Sequence, residues 1–223
     1  MYKGWIIGFI SSSIFFFILY FVLSCFNYRR RFKEQYDVRN HFPYEFNYEG
    51  RFSDNLLGNI TLILSGVFSL GAFSFAGAQM HLNGLLLSAV GAGGLLSILL
   101  VIINFVPLKS IKVHLLFLVL LFVSAFATPT LLGFTFFEHY QIYQDTISLA
   151  FFIVSLVVGA FVFILIMNPK LSLRITMQKA TDEKGNEYYV RPKFIVVAFS
   201  EWLILFSLLL TQVILIILIT LIG

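Results

Sequence analysis

Six apolar runs, about 5–26, 56–80, 84–106, 114–137, 147–167 and 195–222, constrain what this chain can fold into more than any motif in it. The hydrocarbon core of a bilayer takes about 20 apolar residues per helical crossing. Backbone N–H and C=O groups in that core need internal partners, which a helix supplies. With 223 residues, 59% of them hydrophobic, and a mean hydropathy of +0.93, the chain lies outside the composition of soluble domains, which are about half apolar. The expected fold is an all-α membrane protein, a single six-transmembrane-helix bundle over 1–223 with a small cytoplasmic β-hairpin.

The connecting segments separate by charge. Segments 27–55, 107–113 and 168–194 hold six, two and six Lys/Arg residues, 81–83 and 138–146 hold none, and Lys3 alone falls on the other side. Insertion favours the side richer in Lys and Arg near span ends. The three basic segments are therefore expected in the cytoplasm, with both termini outside, in the cell membrane. Val22-Leu23-Ser24-Cys25 faintly resembles a lipoprotein cleavage box, but Arg29, Arg30 and Arg31 just beyond it would resist translocation, so the first run reads as a span. The net charge of +4 is spread beside apolar runs and forms no single patch, which argues against a nucleic-acid partner. Cys25 is the one cysteine, which excludes an intramolecular disulfide and a Cys-x-x-Cys metal site.

Segment 27–55 is the longest polar stretch. Tyr28, Phe32 and Tyr36 recur every four residues, and Arg30–Glu34 and Lys33–Asp37 stand at i,i+4, so the first helix is expected to continue past the membrane. Phe42, Tyr44, Phe46 and Tyr48 then alternate with polar residues or proline, a two-residue period that predicts extended chain ending at Gly50. These aromatics read as a ligand-binding lip, as a belt at headgroup level, or as packing under the cytoplasmic ends of the spans. Arg29, Arg30, Arg31, Lys33 and Tyr44 are the candidate contacts to lipid headgroups or to a protein partner. In the last basic segment Leu171, Leu173, Ile175 and Met177 alternate with polar residues, a turn follows at 182–186, and Glu187-Tyr188-Tyr189-Val190 leads back. That pattern predicts a β-hairpin over 171–178 and 187–191, resting on the membrane, on segment 27–55 or on a partner.

Small residues mark the helix contacts. Ser65, Ser69, Ala72 and Ala76 make one stripe; Gly84, Ser88 and Ala92 make another, with Ala89, Gly93 and Ser97 beside it; Ser155 and Gly159 make a third. Close backbone approach drives helix association in lipid, inside one bundle or between copies, so a homo-oligomer through these faces is a further expectation. Pro129 between Thr128 and Thr130 predicts a kink, with the hydroxyls bonding freed carbonyls. Glu138, His139 and Asp145 fall in an outer connector. They read as a solvated acidic loop before a metal site.

Glu201 is the acid well inside an apolar run. Charge there is expensive and calls for a partner, with Asn59, His114 and Arg51 the leading candidates and Lys109, Lys112 and Arg191 behind them. The cluster reads as a proton, ion or headgroup site, or as a structural tie between helix ends. His-Glu-x-x-His, Gly-x-Ser-x-Gly and phosphate-cradling loops do not occur, and no cofactor is expected. The reading is a non-enzymatic membrane protein whose cytoplasmic face binds lipid headgroups or a partner protein. The alternative is a small transporter or transport subunit using Glu201 and the Thr128-Pro129 kink.

Three short sites carry a family resemblance. Glu201-Trp202 early in the last run, Phe42-Pro43-Tyr44 after the first and His114 opening the fourth resemble the Glu-Trp pair, Pro-Tyr segment and histidine of the DRAM-like (damage-regulated autophagy modulator) membrane proteins. The chain departs from that family in carrying Lys109-Ser110-Ile111 where an Asp stands upstream of the histidine, and in lacking the Gly after it. The family is drawn with cytosolic termini, opposite to the charge bias here. The resemblance implies a six-helix bundle with lipid or membrane-trafficking roles and no established catalytic site.

Overall fold

The computed structural model describes residues 3–47, 51–79, 84–106, 110–168, 178–181 and 187–222. Its elements are α1 (Lys3–Phe32), α2 (Leu56–Gln79), α3 (Gly84–Ile103), α4 (Ile111–Tyr143), α5 (Thr146–Ile166), β1 (Gln178–Thr181), β2 (Glu187–Val190) and α6 (Val196–Ile222), with 3-10 turns at Pro43–Phe46 and Phe52–Asn55. Among the described residues six helices are long and apolar enough to cross a membrane, and the chain is a multi-pass integral membrane protein by that measure.

Each helix is apolar on all sides, so burial is set by packing. On α1 the buried residues Ile6, Ile10, Ser13, Phe17, Tyr20, Ser24 and Tyr28 recur every three or four positions, one stripe facing the bundle. Phe15, Ile18, Val22 and Phe26 stand exposed on the opposite side. Consecutive helices pack in order from α1 to α5, and α6 returns to touch α1, α4 and α5. That position makes α6 the most buried span, at 56% of its apolar window.

The small-residue stripes lie largely inside this one bundle. Ser65, Ser69, Ala72, Ala76, Ala89 and Ser97 are fully buried. A Cβ added at Gly93 would collide with the Phe73 ring, one at Gly66 with Val101, one at Gly159 with Thr130, and one at Gly58 with Ser24 and Asn55. Close approach of α2 to α3, α4 to α5 and α1 to α2 thus consumes them. Gly84 and Ser88 remain exposed.

Several local expectations are corrected. The extended reading of 42–48 fails over 43–46: the chain makes a 3-10 turn, because Pro43 presets its first residue and the Glu45 carboxylate accepts the Phe42 N–H at 2.9 Å. Tyr48 and Gly50 lie outside the described residues. Helix α1 stops at Phe32, where Lys33 takes a left-handed φ of 61°. The i,i+4 pairs Arg30–Glu34 and Lys33–Asp37 therefore share no helix; Glu34 accepts from the Tyr28 hydroxyl and Asp37 pairs with Arg39. Helix α4 continues through Pro129. Thr128 and Thr130 donate to the carbonyls of Ser124 and Phe126 at 2.7 and 2.8 Å, on either side of the Ala125 carbonyl that proline leaves without its N–H. Glu138 and His139 belong to α4, and Asp145 caps α5 by accepting from the Ile147 and Ser148 N–H groups.

The two strands pair antiparallel, from Gln178 opposite Val190 to Thr181 opposite Glu187. Among the described residues the first strand starts at Gln178, where the sequence pattern ended it. Residues 171–177 and the turn 182–186 lie outside the described residues.

Candidate functional site at the basic end of the bundle

One end of the bundle gathers the C-termini of α1 and α3, the N-termini of α2, α4 and α6, and the segments between them. Polar contacts join these parts. The Ile195 N–H donates to the Arg39 carbonyl at 2.8 Å, Arg191 pairs with Glu45 at 2.8 Å, and Asn27 donates to the Asp54 carbonyl.

Glu201 sits on the second turn of α6, roughly 8 Å along the helix at 1.5 Å per residue, and is 1% exposed. Its Oε1 lies 3.3 Å from Nε2 of His114, itself 0% exposed on the first turn of α4. His114 Nδ1 lies 2.7 Å from the Val106 carbonyl. A carbonyl only accepts, so Nδ1 carries a proton, and the remaining variable is the single proton between Nε2 and Oε1. With it on the imidazole the two form an ion pair; with it on the carboxyl both are neutral. Either arrangement satisfies a buried acid that would otherwise cost about 2.5–3.5 kcal/mol in a span.

Segment 33–47 folds down over the helix ends as a plug. Phe42 and Phe46 are buried, and Tyr36, Phe46 and Trp202 form an aromatic cluster with centroids 4.1–5.8 Å apart. The Trp202 indole N–H donates to the His41 carbonyl at 2.9 Å and to the Tyr36 hydroxyl at 3.1 Å, and Tyr36 donates onward to the Phe42 carbonyl at 2.7 Å. Burial pushes the Tyr36 hydroxyl well above its ordinary value, which keeps it a donor. Tyr44 sets its ring edge against His114 at 5.7 Å, and burial, with Glu45 and Glu201 nearby, raises its hydroxyl too. Packing under the helix ends thus describes Phe42 and Phe46, both buried.

Of the three leading candidates, the structure brings His114 to Glu201. Asn59 joins a different network: it donates to Asn47 Oδ1 at 2.6 Å and to the Phe52 carbonyl, Asn47 donates to the Asn104 carbonyl, and Tyr20 donates to Asn104 Oδ1 at 2.6 Å. Arg51 is exposed at the start of the second 3-10 turn, whereas Glu201 is sealed. Lys112 is exposed, Arg191 holds Glu45, and Lys109 lies outside the described residues.

The headgroup candidates divide as well. Arg29, Arg30 and Lys33 are exposed, Arg31 pairs with Asp54 at 2.7 Å, and Tyr44 turns inward to His114. Asp37, bonded by Arg39, is held below the usual carboxylate range.

A knot deeper in the bundle escaped the sequence reading. Gln212 Nε2 donates to Ser13 Oγ at 2.9 Å and Ser69 Oγ at 2.8 Å, and Ser69 and Ser97 hydroxyls meet at 2.7 Å. Gln212 Oε1 is buried with no partner among the described residues. The legible signal was an amide inside an apolar run; Asn104 offered the same one.

No family model, curated protein or solved structure matches the chain.

Proposed function

We propose that this protein is a non-enzymatic, six-span membrane protein whose basic end faces the cytoplasm, with both termini outside, and engages the headgroups of anionic lipids. The observation that carries this reading is a contrast at one end of the bundle. The intramembrane acid is closed off against His114 at 1% exposure, while Arg29, Arg30 and Lys33 stand exposed on the last turn of a membrane-length helix and just past it. Basic residues beside the bilayer surface are worth about 1 kcal/mol each toward anionic lipid. The transport alternative needs Glu201 on a wet path, and its burial with His114 favours the tie. The DRAM-like resemblance belongs to the same proposal, supported by the Glu201–His114 and Tyr44–His114 contacts between its three sites.

The test is lipid selectivity in reconstituted vesicles, read by electron spin resonance of spin-labelled phosphatidylglycerol against phosphatidylcholine. The expected result is a preference for phosphatidylglycerol that falls with salt and weakens in the Arg29→Gln/Lys33→Gln double variant. Equal selectivity for the two lipids would sink the proposal.

A further inference from the structure

Between the end of α1 and the start of α2 the structure has a cleft of about 290 Å³, lined by Leu23, Phe26 and Arg30 on one side and by Ser53, Asp54 and Leu57 on the other. Its walls change character along the α1 axis. Arg30, Ser53 and Asp54 lie at the basic end, whereas Phe26 and Leu57, 68% and 65% exposed, continue the lipid-facing surface.

Charge in the cleft is uneven. Asp54 is engaged by Arg31 at 2.7 Å. Arg30, by contrast, has one long hydrogen bond of 3.5 Å to Asn27 Oδ1, so its guanidinium keeps donors to offer. The N-terminal end of α2 adds its positive dipole end at the same place. The volume lies at the lower limit of ligand sites, about 300 Å³, enough for a headgroup whose acyl chains stay outside.

Resting on the headgroup reading above, we propose that this cleft is a specific site for one phospholipid of net negative charge. Its phosphodiester sits on Arg30 and the start of α2, and its acyl chains run down along Phe26 and Leu57. The net charge follows from the lining. Arg30 is its basic residue and keeps donors to offer, while the Asp54 carboxylate is already paired with Arg31, so the quaternary ammonium of a choline headgroup is repelled while a glycerol headgroup is not. A guanidinium–phosphate contact is bidentate and strong.

The experiment is native mass spectrometry of the full, delipidated chain in detergent, titrated with dioleoyl phosphatidylglycerol and separately with the phosphatidylcholine analogue. Wild type is expected to retain one phosphatidylglycerol more tightly than all others. Arg30→Gln, which removes the charge, and Ser53→Trp, which fills the cleft from an exposed position, should each weaken that one lipid about tenfold, the value of one charge-assisted bond. Arg29→Gln/Lys33→Gln should spare it. Ser53→Trp keeps the test decisive if Arg30→Gln does not fold. Unchanged retention in folded variants, with wild type still preferring phosphatidylglycerol, overturns the cleft and leaves the general headgroup reading standing. No preference in wild type overturns both. Retention of phosphatidylcholine equal to phosphatidylglycerol in this one site overturns the charge assignment, and displacement by free glycerol phosphate at matching concentration overturns a lipid as the occupant.

Discussion

Glu201 Oε1 and His114 Nε2 meet at 3.3 Å across 87 positions of sequence, where the second turn of α6 runs beside the first turn of α4. Glutamine at position 201 can still bond that nitrogen, so Glu201→Gln should hold thermal stability in detergent to within about 1 kcal/mol. Glu201→Leu strands a buried imidazole nitrogen and should lose about 1–3 kcal/mol. A Leu variant as stable as wild type would show that the pair ties nothing. Lipid selectivity should survive Glu201→Gln. Ion or proton flux in proteoliposomes that this variant abolishes, with the fold intact, would instead establish the transport reading.

Orientation is tested by single cysteines in a Cys25→Ser background, at the exposed residues Lys179 and Gln141. An impermeant thiol reagent added to intact cells should label position 141 and spare position 179. The reverse pattern would invert the topology drawn from the fourteen-to-one Lys/Arg split.

Two glycines of α3 should respond in opposite directions to alanine. At Gly93 a Cβ would run into the buried Phe73 ring, whereas at Gly91 nothing lies within 4 Å. Gly93→Ala should destabilise through overpacking by about 1–3 kcal/mol. Gly91→Ala should be neutral or stabilising by up to about 1 kcal/mol, from helix propensity. Equal midpoints for the two variants in thermal unfolding would contradict the α2–α3 contact described.

Asp145 caps α5, and hydrogen bonds from Ser148 and Ile147 lower its carboxyl from the ordinary value. A depressed folded-state value means the ionised cap stabilises above the unfolded-state value, and that stabilisation is lost as pH falls through the folded one. Asp145→Asn still accepts at the cap but does not titrate there. The gap between wild type and this variant in unfolding temperature should therefore shrink on acidification from neutral pH. A gap that is constant with pH would remove the cap's charge from the account.

Although the first and fourth helices run six residues past the ends of their apolar runs, the six long apolar helices and the helix contacts near Ser65, Ser69, Gly93 and Gly159 were legible in the sequence. Each rests on a local quantity: hydropathy summed along a helix, or side-chain size at one position. The need of Glu201 for a partner was legible too, because the cost of a charge in a span does not depend on which helix answers it. Which helix answers is a property of packing. His114 reaches Glu201 because α4 and α6 start at one end and touch, while Asn59, on α2, is taken by Asn47. The same holds for the 42–46 turn, whose period-two pattern reads as strand. Packing of the buried Phe46 against Trp202 and the pairing of Glu45 with Arg191 decided its shape. Those contacts join residues more than a hundred positions apart, and a local period carries no information about partners at that distance.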